Sequence, residues 1–265
     1  MKYKVGFIGC GNMGGALVKA ISLSLHKGDI AVCDHHKEKM DFMKKEYGAI
    51  PATAEEIAKE ADFVVLGVKP QALNDALTPL SALLNKRTGV TVVTMAAGIS
   101  IAAVQGFIGK DLPVIRMMPN TPVALGKGVV LYALANVSDK AHKEFLSYFS
   151  KAGVFDHVPE KEIDTGGSLS GCGPAFVYLF AEALIEGAKE LGLSEKQASQ
   201  YAIQTVKGAA EMMLEYGNPA ALRKAVCSPN GTTLAGIAAM EKEGFSSSVK
   251  SALHAAYQRT LELKK

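Results

Sequence analysis

The chain has 265 residues, of which 48% are hydrophobic and 21% charged, a composition typical of a folded globular protein rather than a disordered one. The formal net charge is only +3 and there is no lysine- or arginine-rich run, which argues against a nucleic-acid partner. Apolar runs stay well below the roughly 18 residues that span a membrane and no signal peptide is recognisable, so we expect a cytoplasmic protein.

The first part of the chain, residues 1–158, alternates between short apolar runs typical of strands and longer segments typical of helices. The predicted strands are 4–8, 30–33, 63–68, 90–95, 114–117, 129–132 and 154–157. The predicted helices between them are 12–25, 37–47, 72–84, 101–107 and 139–151. Alternation of this kind with short loops predicts an α/β domain built on a doubly wound parallel sheet.

The second part, residues 159–265, contains helical patterns only, so we place a domain boundary near residue 158 and expect an all-α C-terminal domain. The predicted helices are 175–191, 195–215, 219–226, 233–242 and 247–264. In the first of them Ala175, Leu179, Ala183 and Gly187 form one small or apolar face at a spacing of four residues. Such a face predicts close helix packing, and we expect this domain to dimerise.

A glycine motif, G-x-G-x-x-G, directly follows the first predicted strand and opens the first predicted helix. In such a motif Gly9 allows a tight turn, Gly11 lets the backbone approach a pyrophosphate, and Gly14 lets the helix pack on the strand. The helix N-terminus favours phosphates, so we expect a Rossmann-type dinucleotide-binding domain, with a purely structural glycine turn as the alternative. The cofactor contacts predicted here are Gly9, Gly11, Asn12, Met13 and Gly14.

The residues after the second predicted strand bear on the choice of cofactor. Asp34 lies 20 residues after Gly14, where a carboxylate binds the adenosine ribose of NAD and repels the 2′-phosphate of NADP. His35, His36 and Lys37 follow, and a cationic pair there would hold that phosphate. Because the two signals conflict, we predict NADP or NAD, with Asp34 and His35 at the cofactor; a solvated loop is the alternative for each histidine.

Three further loops follow predicted strands at the carboxyl edge of the sheet, where open α/β sheets bind ligands. The loops are 67–70, 96–98 and 118–122. Small residues in the loop 96–98 would permit the close approach of a flat ring. Asn120, in the loop 118–122, would hydrogen-bond the nicotinamide carboxamide or its ribose. For Lys69 a solvated loop lysine is an equal alternative. The predicted cofactor contacts in these loops are Val68, Lys69, Pro70, Ala96, Ala97, Gly98 and Asn120.

The segment VCSPNGTT, residues 226–233, is the sharpest feature of the helical part. Serine, proline, asparagine and glycine favour a turn, after which the threonines begin a helix. A small carboxylate would bind the N–H groups of Gly231, Thr232 and Thr233, and the Thr233 hydroxyl would reach a polar atom of the same ligand. Ordinary helix capping by threonine is the alternative. The predicted substrate contacts are Ser228, Gly231, Thr232 and Thr233.

The four cysteines do not form a recognisable site. Cys10, Cys33, Cys172 and Cys227 lie far apart and include no C-x-x-C pair. This spacing suits reduced thiols and indicates neither a disulfide framework nor a zinc site, so we expect no metal. Cys227 has no histidine near it in sequence, which favours a buried thiol over a nucleophile.

Six motifs together resemble the pyrroline-5-carboxylate reductase family, essentially from end to end. They are GFIGCGNMG (6–14), GVKP (67–70), MAAGIS (95–100), RMMPNTP (116–122), LSGCGPAF (169–176) and VCSPNGTT (226–233). Departures are mild: Asn230 stands where the family often has glycine, Cys172 where serine is common, and Phe176 in place of a frequent tyrosine. Asp34 and its neighbours replace a Ser/Thr-rich turn, so cofactor preference is the property that transfers least.

The resemblance implies a reaction and an assembly. The reaction is NAD(P)H-dependent reduction of Δ1-pyrroline-5-carboxylate to L-proline, the last step of proline biosynthesis, with Thr233 hydrogen-bonding the ring nitrogen or carboxylate. The family's Rossmann domain is followed by a helical domain that dimerises, often within a larger ring such as a decamer. The active site would then lie between one subunit's cofactor domain and the helical domains of the dimer.

Two other classes share part of this pattern. A hydroxyacid dehydrogenase of the 6-phosphogluconate-like group has a similar opening, but needs a catalytic lysine after a glycine-rich turn. Here Gly171–Gly173 is followed by no lysine until Lys189, which leaves an alcohol–ketone reaction without a proton donor. A nicotinamide-binding regulator without catalysis would not need the segment 226–233.

Overall fold

The computed structural model of the chain describes residues 2–109 and 111–263. Its contacts divide the chain into two compact units, residues up to Cys172 together with those from Ala256 onward, and Gly173–Ala255. The first unit contains the whole sheet and is called the sheet unit below. The second consists of helices and is called the helical unit.

One eight-stranded sheet forms the centre of the sheet unit, with the strand order 3-2-1-4-5-6-7-8. The strands are β1 (Tyr3–Ile8), β2 (Ile30–Cys33), β3 (Ile50–Pro51), β4 (Ala61–Leu66), β5 (Thr91–Thr94), β6 (Val114–Pro119), β7 (Gly128–Ala135) and β8 (Gly153–His157). From β1 the chain adds β2 and β3 on one side, then crosses over to β4 on the other side of β1 and continues outward from there. This reversal between β1 and β4 is the feature that defines a doubly wound sheet. The Rossmann-type fold predicted from the alternation is therefore confirmed.

The sheet is mostly parallel, as predicted, and one pair departs from this arrangement, because β7 runs antiparallel to β6. A parallel return needs a crossover of a dozen or more residues. The two strands are joined only by 120–127, which contain a single 3-10 segment, Thr121–Leu125, and the chain therefore turns straight back.

Helices cover both faces of the sheet, and each face has its own buried apolar cluster. The helices of the sheet unit are α1 (Asn12–Ile21), α2 (Lys37–Tyr47), α3 (Ala54–Glu60), α4 (Leu73–Leu77), α5 (Ser81–Asn85), α6 (Ile101–Ile108), α7 (Asp139–Phe149) and α8 (Glu160–Ser170). The single helix predicted at 72–84 is broken by a 3-10 turn at Thr78–Leu80 that contains Pro79.

Helix α8 packs on the sheet through two glycines, Gly166 and Gly167, which both lie within the helix. A β-carbon on Gly166 would overlap the Leu131 side chain, and one on Gly167 would lie 2.9 Å from Met118 Cγ. The two glycines thus permit close packing of α8 on β6 and β7.

The helical unit comprises α9 (Gly173–Glu190), α10 (Glu195–Tyr216), α11 (Pro219–Ala225), α12 (Thr232–Lys242) and most of α13 (Phe245–Glu262). Among residues 173–255, all of which the structure describes, only Ala198 and Ala202 are buried. Most of the exposed large hydrophobic side chains of the described chain lie in this unit, for example Leu179, Leu214 and Ile203. An exposed apolar surface of this extent marks an interaction face.

One helical stretch of the described residues, Glu160–Glu190, is long and apolar enough to cross a membrane, with a mean hydropathy of 1.4. It includes a turn at Gly171 and Cys172, which separates α8 from α9. Length and composition alone produce this match. The same apolar residues on α9 belong to the exposed surface of the helical unit.

Candidate functional site

The glycine loop after β1 is packed against the loop after β4. Gly9 has a φ of +100°, which a side chain would strain, and a β-carbon there would lie 2.7 Å from the carbonyl carbon of Gly67. A β-carbon on Gly67 or on Gly14 would overlap the carbonyl oxygen of Gly9. Gly67 was not among the predicted cofactor contacts, although the motif GVKP contained it. Its requirement for glycine comes from a residue 58 positions away, so no local pattern reveals it.

The N-terminus of α1 has the chemistry of a phosphate site. Gly11 is its N-cap, so the N–H groups of Asn12, Met13 and Gly14 begin the helix without an intrahelical partner. The first turn contains no acidic residue, and a β-carbon on Gly11 would meet nothing within 4 Å. The space over Gly11 together with the free N–H groups fits a dinucleotide pyrophosphate.

The Asp34 carboxylate faces the glycine loop. Its Oδ2 accepts the N–H of Cys10 at 2.7 Å, and its Oδ1 accepts the His36 N–H at 3.0 Å. The His36 ring lies 3.1 Å from the same Oδ1, and the Lys39 ammonium 3.8 Å. Burial by itself would raise the pKa of Asp34, but the hydrogen bonds from His36 and Cys10 and the charge of Lys39 lower it below its ordinary value. Asp34 therefore orders the glycine loop and remains a predicted contact of the cofactor.

The paired Asp34 predicts a pH effect on stability. The pKa of Asp34 is lower in the folded chain than its ordinary value of 3.8. The ionised carboxylate therefore stabilises the fold at pH values above 3.8. This stabilisation is lost as the pH falls through the pKa of the folded chain. We expect the free energy of unfolding of Asp34→Asn to fall less steeply than that of the wild type between about pH 4 and pH 2. Urea denaturation at several pH values measures this. Asp41→Asn, exposed on α2, is the control; equal slopes for wild type and Asp34→Asn would contradict the pairing.

The remaining predicted cofactor residues lie at the carboxyl edge of the sheet. Val68, Lys69 and Pro70 lie in the loop after β4, one residue beyond the strand, with Lys69 exposed at the start of a 3-10 turn. Ala96 is buried, Ala97 is half-buried and Gly98 has a φ of +76° in the turn between β5 and α6. His35 is exposed next to Asp34. All of these remain predicted contacts.

Asn120 already has partners within the sheet unit. Its side-chain oxygen accepts the N–H of Val129 at 2.8 Å, and its side-chain nitrogen donates to the carbonyl of Ser170 at 2.9 Å. The residue is 7% exposed. The amide predicted to bind the nicotinamide therefore joins the ends of β6, β7 and α8. The sequence could not show this, because Ser170 lies 50 residues away.

The segment 226–233 forms a turn before α12 in the helical unit. Asn230 has a φ of +58°, a conformation that asparagine and glycine adopt more readily than other residues, which explains why asparagine is compatible with a glycine-rich motif. Gly231 is the N-cap, and a β-carbon on it would overlap Ser228 Oγ. Because the N-cap has no side chain, the alternative of ordinary capping by threonine is not realised. Thr232 and Thr233 are exposed in the first turn.

One of the predicted carboxylate donors has a partner of its own. The Gly231 N–H donates to the Ser228 carbonyl at 3.0 Å. The N–H groups of Thr232 and Thr233 are those of a first helical turn, which have no partner within the helix. The geometry thus favours these two, and not Gly231, as the donors to an anion.

The thiols and potential metal ligands add little to the site. Burial raises the pKa of Cys10 to about 12, so this loop thiol is unreactive at neutral pH. The cysteines are all free. Within residues 2–109 and 111–263, no group of three histidine, cysteine, aspartate or glutamate side chains is arranged to hold a metal ion.

Two family models match the chain. The model described as pyrroline-5-carboxylate reductase dimerisation matches residues 160–263. The model described as NADP oxidoreductase coenzyme F420-dependent matches residues 4–98. Among curated proteins, a pyrroline-5-carboxylate reductase of Pseudomonas aeruginosa is 37% identical over 266 residues, which cover 98% of this chain and 96% of that protein.

Solved structures give the same result. The crystal structure of a Plasmodium falciparum pyrroline carboxylate reductase with NADP bound superposes with a TM-score of 0.89 at 29% identity, and covers 100% of both chains. A pyrroline-5-carboxylate reductase from Coxiella burnetii also has a TM-score of 0.89, at 32% identity and with 100% of both chains covered.

Proposed function

The chain belongs to the pyrroline-5-carboxylate reductase family, and from this we propose the reaction and the roles of its residues. The enzyme reduces Δ1-pyrroline-5-carboxylate to L-proline with a reduced nicotinamide dinucleotide, the last step of proline biosynthesis. The structural observation that carries the proposal is the cradle of Gly9, Gly14 and Gly67 beside the open N-terminus of α1, which fits a dinucleotide.

Residues of the sheet unit hold the cofactor. Backbone N–H groups at 12–14 bind the pyrophosphate, and Asp34 with its neighbours lies at the adenosine ribose. The loops at 68–70 and 96–98 and the segment at Asn120 line the nicotinamide end. NADP or NAD, in the reduced form, supplies the hydride.

The first turn of α12 holds the substrate. The substrate carboxylate binds the N–H groups of Thr232 and Thr233, with Ser228 and Gly231 shaping the turn. The Thr233 hydroxyl hydrogen-bonds the ring nitrogen or the carboxylate and fixes which carbon of the imine accepts the hydride. A protonated imine is already electrophilic, so positioning and electrostatics supply most of the catalysis without a strong side-chain acid.

Turnover decides between this proposal and its alternatives. The experiment follows nicotinamide absorbance when the purified protein is mixed with Δ1-pyrroline-5-carboxylate and either NADH or NADPH. Turnover supports the reductase, and the ratio of the two kcat/KM values shows which cofactor Asp34 and its neighbours favour. Binding of both nucleotides without turnover would contradict the proposal.

Thr233→Val tests the role of the hydroxyl. The change keeps the shape of the side chain and removes one hydrogen bond, which to a charged ligand is worth about 1.5–3 kcal/mol. We therefore expect kcat/KM to fall by about 10- to 100-fold, with little change in cofactor affinity. Steady-state kinetics and fluorescence titration of the nucleotide measure the two quantities. Thr233→Ser is the control and should retain most activity; unchanged kinetics in Thr233→Val would disprove the role.

The assembly follows from the exposed helices. The dimerisation model matches 160–263, and the chain is a homo-oligomer whose substrate is a small molecule. We propose that the helical unit forms a homodimer and that these dimers join a larger ring such as a decamer. We further propose that the protein acts in the cytoplasm and has no nucleic-acid or membrane partner. The functional domains that we propose are 1–158 and 159–265, although α8, which belongs to the second, packs on the sheet of the first. Light scattering measures the mass of the assembly.

A further inference from the structure

A buried ion pair fixes α8 to the sheet. Arg116 on β6 is 3% exposed, and its guanidinium donates to Asp164 Oδ1 at 2.6 Å, where Asp164 is 2% exposed. The same guanidinium donates to Glu160 Oε1 at 3.3 Å. Both acids lie on α8, one helical turn apart, so one arginine holds two successive turns of the helix.

Glu160 connects this ion pair to the loop before α6. Its Oε1 also accepts the N–H of Ile101, the first residue of α6, at 2.7 Å. Ser100 already caps the same helix by accepting the N–H of Ala103 at 3.1 Å. One carboxylate oxygen is thus shared by β6, α8 and α6, and it fixes the end of the turn that contains Ala96, Ala97 and Gly98.

The other end of α8 is fixed at a second predicted cofactor segment. There the Ser170 carbonyl accepts the amide of Asn120, which follows β6. Between the two attachments α8 packs on β6 and β7 through Gly166 and Gly167, and Ile163 is fully buried in the core. The helix has 11 residues and is about 16 Å long, so its two ends hold two separate loops at a set spacing.

We propose that α8 fixes the positions of two loops on the nicotinamide side, the turn at 96–98 and the segment at Asn120. Glu160 is the positioning residue at the N-terminal end of this helix. This inference rests on the proposed function, because it assumes that the loop at 96–98 lies at the nicotinamide. Glu160 does not touch the reacting atoms. It acts through Ile101 and the turn before it, and a small displacement of a bound reactant is enough to slow a reaction by up to about 100-fold.

The first test needs no activity. We expect hydrogen–deuterium exchange of peptides covering 95–104 to be about tenfold faster in Glu160→Ala than in the wild type, because the Ile101 N–H loses its acceptor. Glu160→Gln keeps a carbonyl acceptor, so its exchange rate should lie between those of the wild type and Glu160→Ala. Glu162→Gln, exposed on the same turn of α8, is the matched control and should equal the wild type. Unchanged exchange in Glu160→Ala would overturn the proposal, whether or not the enzyme reduces Δ1-pyrroline-5-carboxylate.

The second test separates positioning from a merely structural role. In Glu160→Ala we expect kcat to fall about tenfold, the KM for the nucleotide to change less than about twofold, and the deuterium isotope effect on kcat with 4-deuterated cofactor to rise. Glu160→Gln should recover part of the loss. A fall in kcat that follows a lower melting temperature, with an unchanged isotope effect, would overturn the positioning role. Absence of turnover in the wild type would instead refute the proposed function.

Discussion

We expect Gly67→Ala to lose both stability and cofactor binding. The added β-carbon would overlap the Gly9 carbonyl oxygen, which is backbone and cannot rotate away, so the loops after β1 and β4 must separate. Overpacking of this kind costs about 1–3 kcal/mol of unfolding free energy. The displaced glycine loop should also bind NADPH or NADH at least about tenfold more weakly, since its N–H groups no longer point to one place. Urea denaturation and fluorescence titration measure the two effects.

Gly11→Ala is the matched control for this loop. Its β-carbon would meet nothing within 4 Å and its φ is −64°, so the fold should lose at most about 1 kcal/mol, the usual cost of alanine at an N-cap. The β-carbon would nevertheless project into the space predicted for the pyrophosphate, and affinity for the nucleotide should fall. If Gly67→Ala matched the wild type in both measurements, or if Gly11→Ala lost as much stability as Gly67→Ala, the packing argument would be wrong.

Arg116→Ala should strongly destabilise the sheet unit. The substitution leaves the Asp164 carboxylate buried without its arginine, and breaking a buried pair in this way costs about 3–5 kcal/mol. Chemical denaturation followed by circular dichroism gives the free energy of unfolding. A large part of the loss should be recovered in the double variant Arg116→Leu with Asp164→Leu, which removes both charges and fills the volume.

Arg223→Ala provides the comparison at the surface. Arg223 lies 3.9 Å from Glu241 and both side chains are more than half exposed, so the pair should contribute less than about 1 kcal/mol. A loss in Arg116→Ala no larger than that in Arg223→Ala would show that burial does not strengthen the first pair.

Local patterns located most of the fold. The predicted bounds of β2 and α2 agree with the structure, because an apolar run followed by a charged, periodic segment marks both elements. Helix α3 was not predicted although its capping box, Thr53 and Glu56, is legible in the sequence. The two-residue β3 was missed, and β7 was predicted as a strand without its antiparallel direction, since pairing depends on neighbours that the sequence does not place.

The site was predictable where the chemistry is local. The glycine motif and the turn before α12 are each a short segment, and both form the predicted turn before a helix. Asp34, Asn120 and Arg116 each have one partner that is distant in sequence. These partners are Cys10, Ser170 and Asp164, which lie 24, 50 and 48 residues away, so the bonds to them form only when the strands and helices are assembled. Those contacts decide which side chains are free for a ligand, and the sequence could name the candidates without saying which are already engaged.

Only Ala198 and Ala202 are buried in residues 173–255, so in the proposed homodimer the folding of the helical unit would be coupled to the association of two chains. A two-fold interface presents the same patch twice, so each substitution on α9 or α10 acts at two places in every dimer. The effect of one substitution on the free energy of the dimer is therefore counted twice, and selection on these surface positions should be as severe as on buried core positions. The exposed apolar face of the single chain would form one side of the hydrophobic core of the dimer.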